Sequence, residues 1–226
     1  MSETAPSTDA DERNVRVLLV DDHDLFRTGL RNLLEDQGIE IVGEAGSGVD
    51  ALRTIGESAP DVVIMDLNMP GMNGVDATRH ISRDAPLTRV IVLTISDQEQ
   101  DVMDAILAGA CGYLLKDASI QDLLKGIAAA AVGESLISPH IAGKVLQHVR
   151  ATTAAPEVAA TLRAELSERE LQVLKLIANG NDNATIAREL HISPKTVKNH
   201  ISNILMKLQI ENRIQAAVYA VRSGIA

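Results

Sequence analysis

Five short apolar runs, separated by stretches of helical periodicity, constrain this chain more than any other feature. They are "VRVLLV" (15–20), "IEIVGEA" (39–45), "DVVIMD" (61–66), "RVIVLT" (89–94) and "GYLL" (112–115). Strands with one wetted face alternate apolar and polar residues, whereas near-continuous runs such as these belong to parallel strands covered on both sides. Between them, Leu30, Leu33 and Leu34, or Val102, Ile106 and Leu107, recur at helical spacing. A last helical stretch, "SIQDLLKGIAAAAVG", closes the pattern near residue 133. The expectation for residues 15–133 is a doubly wound α/β domain with a five-stranded parallel sheet.

The chain has 226 residues, enough for a second, smaller unit. With 46% hydrophobic residues a core forms without disulfides, and Cys111, the single cysteine, can make no internal one. That usage fits a reducing, cytoplasmic setting. No run reaches the roughly 18–20 apolar residues of a membrane span, so no membrane partner is expected. The opening "MSETAPSTDADERN" is polar and acidic, unlike a secretory signal, and reads as a disordered tail over residues 1–14. Residues 134–165, with "SPHIAGKVLQHVR" and "ATTAAPEVAATLRAE", read as a linker that carries a helix.

The formal net charge of −10 hides an asymmetry. Residues 1–134 hold 10 basic against 24 acidic side chains, while residues 135–226 hold 11 against 7. An acidic half joined to a basic half implies different partners, with a polyanion suited to the second.

In open parallel sheets, ligands bind beyond the carboxyl ends of the strands. Four of the five runs end there on polar groups: Asp21-Asp22, Asp66, Thr94 and Lys116. Three converging carboxylates repel one another unless a cation sits among them, and an all-oxygen set suits Mg²⁺. Lys116 and Thr94 add an ammonium and a hydroxyl for an anion. Metal, ammonium and hydroxyl around one crevice describe a phosphoryl site, with Asp66 as the nucleophile that forms an acyl phosphate. A turnover phosphohydrolase is disfavoured, since no second carboxylate follows Asp66 as a general acid. None of the histidines shows ligand-like spacing, and His23 reads as a neighbour of the acidic pair.

Residues 166–226 read as an all-α domain of four helices. Ser167 and Glu170 form a capping box and Leu166 with Leu171 a staple; Gly180 ends that helix, Asp182 caps the next, and Ser193-Pro194 opens the third. "ISPKTVKNHISNILMKLQI" (192–210) contains no acidic residue. At 100° per residue, Val197, Ile201, Ile204, Leu205 and Leu208 face a core. Lys195, Asn199, Ser202 and Met206 point away, flanked by Lys198 and Asn203. Such a face offers Lys to phosphates and Asn and Ser to base edges.

Residues 15–133 resemble a two-component receiver domain, a flavodoxin-like fold. "LSERELQVLKLIANG", "TIARELHIS" and "KTVKNHISNILMKL" resemble the LuxR-type helix-turn-helix, and the pairing resembles the NarL/FixJ class of response regulators. The resemblance implies a transcription factor and not a turnover enzyme, in which Asp66 takes phosphate from a sensor histidine kinase. It implies that Asp21, Asp22 and the backbone carbonyl of Asn68 help Asp66 hold Mg²⁺, that Thr94 and Lys116 contact the phosphate, and that Tyr113 is the switch aromatic. On the DNA side it implies Lys198, Asn199 and Ser202 nearest the bases of double-stranded DNA, and Lys195, Thr196 and Lys207 at phosphates. It also implies a homodimer formed through Ala217, Val218 and Val221 of the last helix. Three departures stand out: Ile95 after Thr94 is bulkier than usual, His191 occupies a turn position that often holds Gly, and "NATIA" replaces "NKEIA". A receiver that serves only as a phosphorylation-independent interaction module is the alternative.

Overall fold

The computed structural model describes residues 14–137, 141, 142, 144, 145 and 166–225. The expected tail, apart from Asn14, and most of the expected linker helix lie outside the described residues. The first domain alternates strictly: β1 (Arg16–Val20), α1 (Asp24–Glu35), β2 (Glu40–Ala45), α2 (Gly48–Ser58), β3 (Val62–Met65), α3 (Gly74–Asp84), β4 (Arg89–Thr94), α4 (Glu99–Leu107), β5 (Gly112–Leu115) and α5 (Ile120–Ala131). All strand pairs are parallel, and the sheet order is β2-β1-β3-β4-β5, with a short β6 (Leu136–Ile137) beside β5.

Period-two alternation explains why the strands are apolar throughout. Val17, Leu19, Val62, Ile64, Ile91 and Leu93 pack on one face against Leu30 and Leu34 of α1 and Leu123 and Ile127 of α5. Leu18, Val20, Val63, Met65 and Val90 pack on the other against Ala51 and Ile55 of α2 and Ala77 and Ile81 of α3. Side-chain caps start the helices cleanly: Ser47, Asn73 and Ser119 accept from Asp50, Asp76 and Asp122 backbone N–H groups, each worth about 1 kcal/mol.

The sheet has six strands where five were expected. The added β6 (Leu136–Ile137) pairs with β5, Gly112 facing Leu136 and Tyr113 facing Ile137. Two residues are too few to carry a strand pattern in the sequence. Gly112 leaves room for the new neighbour: a Cβ there would lie 3.1 Å from the Leu136 carbonyl oxygen. Tyr113 is therefore interior to the sheet, and its side chain is fully buried.

The second domain holds the four expected helices, α6 (Glu168–Ala178), α7 (Asn183–Leu190), α8 (Pro194–Leu208) and α9 (Arg213–Arg222). Ser167 and Glu170 form the capping box, and Asp182, Ser193 and Asn212 cap the next three helices. Leu174, Ile177, Ile186, Val197, Ile201, Ile204 and Leu208 make the core. His191 closes α7 in the left-handed region at φ 54°, which His tolerates better than a β-branched residue would.

The two domains meet through α9. Ile214 and Val218 share one apolar cluster with Val102, Met103 and Ile106 of α4, Tyr113 of β5, and Ile141 and Val145. Asn212 Nδ2 donates to the Ala110 carbonyl (3.1 Å) and Gln215 Nε2 to the Ile106 carbonyl (2.9 Å). Asn183 Nδ2 donates to Glu134 Oε1 at 2.7 Å. A cavity of about 450 Å³ lies beside this junction, between Leu136 and Ile137 on one side and Ile177, Arg213 and Val218 on the other.

Candidate functional site

The loops after β1, β3 and β5 bring the expected charged residues to one edge of the sheet. Lys116 Nζ lies 2.6 Å from Asp21 Oδ2 and 2.9 Å from Asp66 Oδ2. Burial alone would depress the ammonium, but hydrogen bonds and charge from Asp21 and Asp66 outweigh it and hold its pKa above the ordinary lysine value. Asp66 is buried, and its other oxygen, Oδ1, accepts from the Leu67 N–H at 2.8 Å. Its backbone is fixed from behind, since Asp66 N donates to the Val20 carbonyl at 2.8 Å.

The Pro/Gly loop after β3 is shaped by two glycines with different tasks. Gly71 has φ 78° in open space, so its need is conformational. Gly74 starts α3 hard against the site: a Cβ there would collide with the Asp66 carbonyl oxygen and stand 2.8 Å from Leu67 Cα. Asn68 is exposed on the same loop.

Asp21, Asp22, His23 and Asp66 each present a ligand atom within 4.8 Å of the others. Asp22 Oδ1 is shielded from water yet makes no hydrogen bond, although His23 Nδ1 lies 2.8 Å from it. An orphaned carboxylate oxygen beside two further carboxylates fits a hard divalent cation with oxygen ligands. His23 stands beside the acidic pair that precedes it, with its ring largely exposed.

Thr94 ends β4 with a fully buried side chain, and its carbonyl accepts from Lys116 N at 2.9 Å. Ile95, the bulkier residue after Thr94, is 76% exposed. Tyr113 donates its hydroxyl to the Ser96 carbonyl at 2.9 Å; burial pushes its phenol pKa well up. Cys111 is buried too, with its thiol pushed up to about 12 by desolvation, so no reactive thiolate is offered.

On the second domain, Lys195, Lys198, Asn199, Ser202 and Asn203 are exposed along α8, and Met206 with them. Thr196 is half-buried, its hydroxyl 2.8 Å from Ser193 Oγ. Lys207 is placed differently from its expected role at a phosphate: its Nζ donates to Glu170 Oε2 at 2.7 Å. That oxygen also accepts from the Ser167 N–H and hydroxyl, and together these hold the buried Glu170 below the usual carboxylate range despite the opposing effect of burial. Lys207 thereby braces α8 against α6. The capping box was visible in the sequence; its third partner, 37 residues on, was not.

Of the expected dimer residues, Val218 is buried and Val221 half-buried in the cluster shared with the receiver side, while Ala217 packs partly against its own domain. Asn183 and Arg213 were not anticipated. Arg213 Nη1 donates to Asn183 Oδ1 at 2.6 Å and its other nitrogen to the Asn181 carbonyl, and burial pulls its pKa down.

Residues 17–128 match the response regulator receiver domain, and residues 164–220 match the bacterial regulatory proteins of the luxR family. The transcriptional regulatory protein LiaR of Bacillus subtilis (strain 168) is 44% identical over 214 residues, covering 93% of this chain and 99% of LiaR. The response regulator protein VraR of Staphylococcus aureus (strain Mu3 / ATCC 700698) is 39% identical over 212 residues, covering 93% and 98%. Among solved structures, response regulator ChrA of a heme-sensing two-component system aligns with TM-score 0.52 at 34% identity over 94% of this chain and 99% of that one. The RcsB–DNA complex aligns with TM-score 0.56 at 27% identity over 93% and 99%.

Proposed function

Because the chain belongs to the response regulators, with a receiver domain and a luxR-type DNA-binding domain, and is a transcription regulator of two-component signalling, we propose that Asp66 is its phosphoacceptor and that a sensor histidine kinase is the donor. The observation that carries this reading is the ammonium of Lys116 held between Asp21 and Asp66 at 2.6 and 2.9 Å. An Asp66 carboxylate oxygen attacks the phosphorus of the kinase phosphohistidine, the P–N bond breaks, and the imidazole leaves with the bonding pair. The product is an acyl phosphate on Asp66. Lys116 is placed to follow the charge onto the phosphoryl oxygens, and the Thr94 hydroxyl is the second donor. Asp21, Asp22, Asp66 and the Asn68 carbonyl would hold Mg²⁺, which supplies charge neutralisation for the incoming phosphoryl group.

The readout follows the packing around Tyr113. Drawing Thr94 toward a phosphoryl group disturbs Ser96, two residues on, whose carbonyl anchors the Tyr113 hydroxyl. Tyr113 shares its cluster with α4 and with Ile214 and Val218 of α9. Loosening that cluster releases α9, whose Ala217, Val218 and Val221 then serve a homodimer on double-stranded DNA. Lys198, Asn199 and Ser202 read bases, while Lys195, Thr196 and Asn203 meet the backbone; Lys207 is left to its ion pair. In a labelling assay with radioactive acetyl phosphate and Mg²⁺, the native chain takes up one phosphoryl group and Asp66→Asn takes up none. Undiminished labelling of Asp66→Asn refutes the assignment.

A further inference from the structure

Lys116 has a third neighbour that the phosphoryl chemistry does not explain. The ring centroid of Phe26, on α1, lies 4.6 Å from Nζ. The lysine side chain is 12% exposed, and Phe26 lines a narrow cleft with Asp21, Asp66 and Leu93. We propose that Phe26 is a positioning residue for phosphoryl transfer, its π face holding the Lys116 ammonium on the Asp66 side of the pocket. The inference rests on the reading of Asp66 as phosphoacceptor.

The need for such a residue follows from what the reaction does to the other two partners. A lysine side chain is long, flexible and strongly hydrated, and stays where its attractions hold it. Binding of a cation draws on the charge of Asp21 and Asp66, and conversion of Asp66 to the acyl phosphate removes one carboxylate outright. Both partners of the ammonium are therefore weakened when it must meet the phosphoryl oxygens. The ring face is unaffected by either event. Its quadrupole attracts the ammonium, more strongly where water is excluded, and keeps the group in place while its partner changes from carboxylate to phosphate. The bland account of Phe26 is apolar packing, since it also abuts the cluster around Leu30 and Leu34. The two accounts differ in whether the charge of the ring face matters at constant shape.

The composition makes that difference measurable. Phe26 is the single phenylalanine among 226 residues, so growth on fluorinated phenylalanines alters this position alone. Across phenylalanine, 4-fluoro-, 3,4,5-trifluoro- and pentafluorophenylalanine, the rate of labelling at saturating acetyl phosphate should fall stepwise, by about threefold to tenfold at the end of the series. The half-saturating acetyl phosphate concentration and the melting temperature should not follow that order. Phe26→Trp should keep the rate, and Phe26→Leu should lose as much as pentafluorophenylalanine does. Equal rates along the series, in a protein that is labelled normally, overturn the proposal. The contact has its own check: the ¹⁹F resonance of the 4-fluoro protein should move in Lys116→Met, and an unmoved line also overturns it. No labelling of the ordinary protein overturns the Asp66 reading and the transfer role with it; that failure is recognised because the ¹⁹F line still moves.

Discussion

The pocket proposed for the phosphoryl group and the face of α8 proposed for DNA are built by opposite means. The pocket gathers Asp21, Asp66 and Lys116 from the ends of three strands, and its side chains are buried and bound to one another. The α8 face comes from one helix, with Lys195, Lys198, Asn199 and Ser202 exposed along it. A pocket of the first kind is part of the core, so a change of shape there disturbs its chemistry and its stability together. A face of the second kind is carried by a core it does not join, and its residues are free to vary. The comparison predicts that substitutions that change the shape of the pocket change folding and function together, and that substitutions on the face change only function.

The strongest test is Gly74→Ala. A methyl at this position collides with the Asp66 carbonyl and crowds Leu67, so either α3 or the Asp66 loop must shift. The expected cost is about 3 kcal/mol, read from the denaturation midpoint, together with at least a tenfold loss of acetyl phosphate labelling. A protein that loses labelling at full stability would break the link between core and chemistry on the pocket side.

Between the two extremes lies the α9 junction, where Asn212 serves both domains. Its Oδ1 accepts from Gln215 N at 2.9 Å and caps α9, while its Nδ2 donates to the Ala110 carbonyl. Asn212→Asp keeps the cap and loses the donor, leaving a carboxylate against a carbonyl. Asn212→Ala loses both. The alanine variant should lose about 1–2 kcal/mol of stability. The aspartate variant should keep the C-terminal domain's stability but show a larger radius of gyration in small-angle scattering, as α9 leaves α4. Equal compactness in the aspartate variant would mean that the apolar cluster alone holds the domains.

How much of this was legible beforehand divides along the same line. The five long strands, the four C-terminal helices and the edge carrying Asp21, Asp66 and Lys116 were readable, because each is written in residue types at fixed local spacing. Ser167, Asp182 and Ser193 announced their helices for the same reason. β6 was not readable, since Leu136–Ile137 is too short for a pattern and exists only because β5 offers an open edge at Gly112. Phe26 could be seen as apolar but not as the neighbour of an ammonium 90 residues away. Lys207 was read as a phosphate contact, and its ion pair with Glu170, 37 residues away in the chain, left no local signal. The stripe of Ala217, Val218 and Val221 on α9 was read as a dimer surface that also packs internally, but the sequence did not say that Val218, with Ile214, packs against Tyr113 and α4. A periodicity says that a face is covered and is silent on what covers it.

The smallest structural effect is expected on α8. Lys195 is exposed near the start of that helix, so Lys195→Ala should leave stability within about 0.5 kcal/mol of the native chain. Its loss should weaken binding to all DNA sequences alike and lower the slope of log affinity against log salt by about one. Asn199→Ala should be equally silent in stability, yet cost about 1–3 kcal/mol of binding at the preferred base pair and little elsewhere. The pair of variants separates contact with the phosphate backbone from contact with the base edge on neighbouring turns of one helix. If Asn199→Ala instead lowered the melting temperature and weakened every DNA sequence equally, α8 would be acting as part of the core, as the pocket does, and the contrast between the two surfaces would fail.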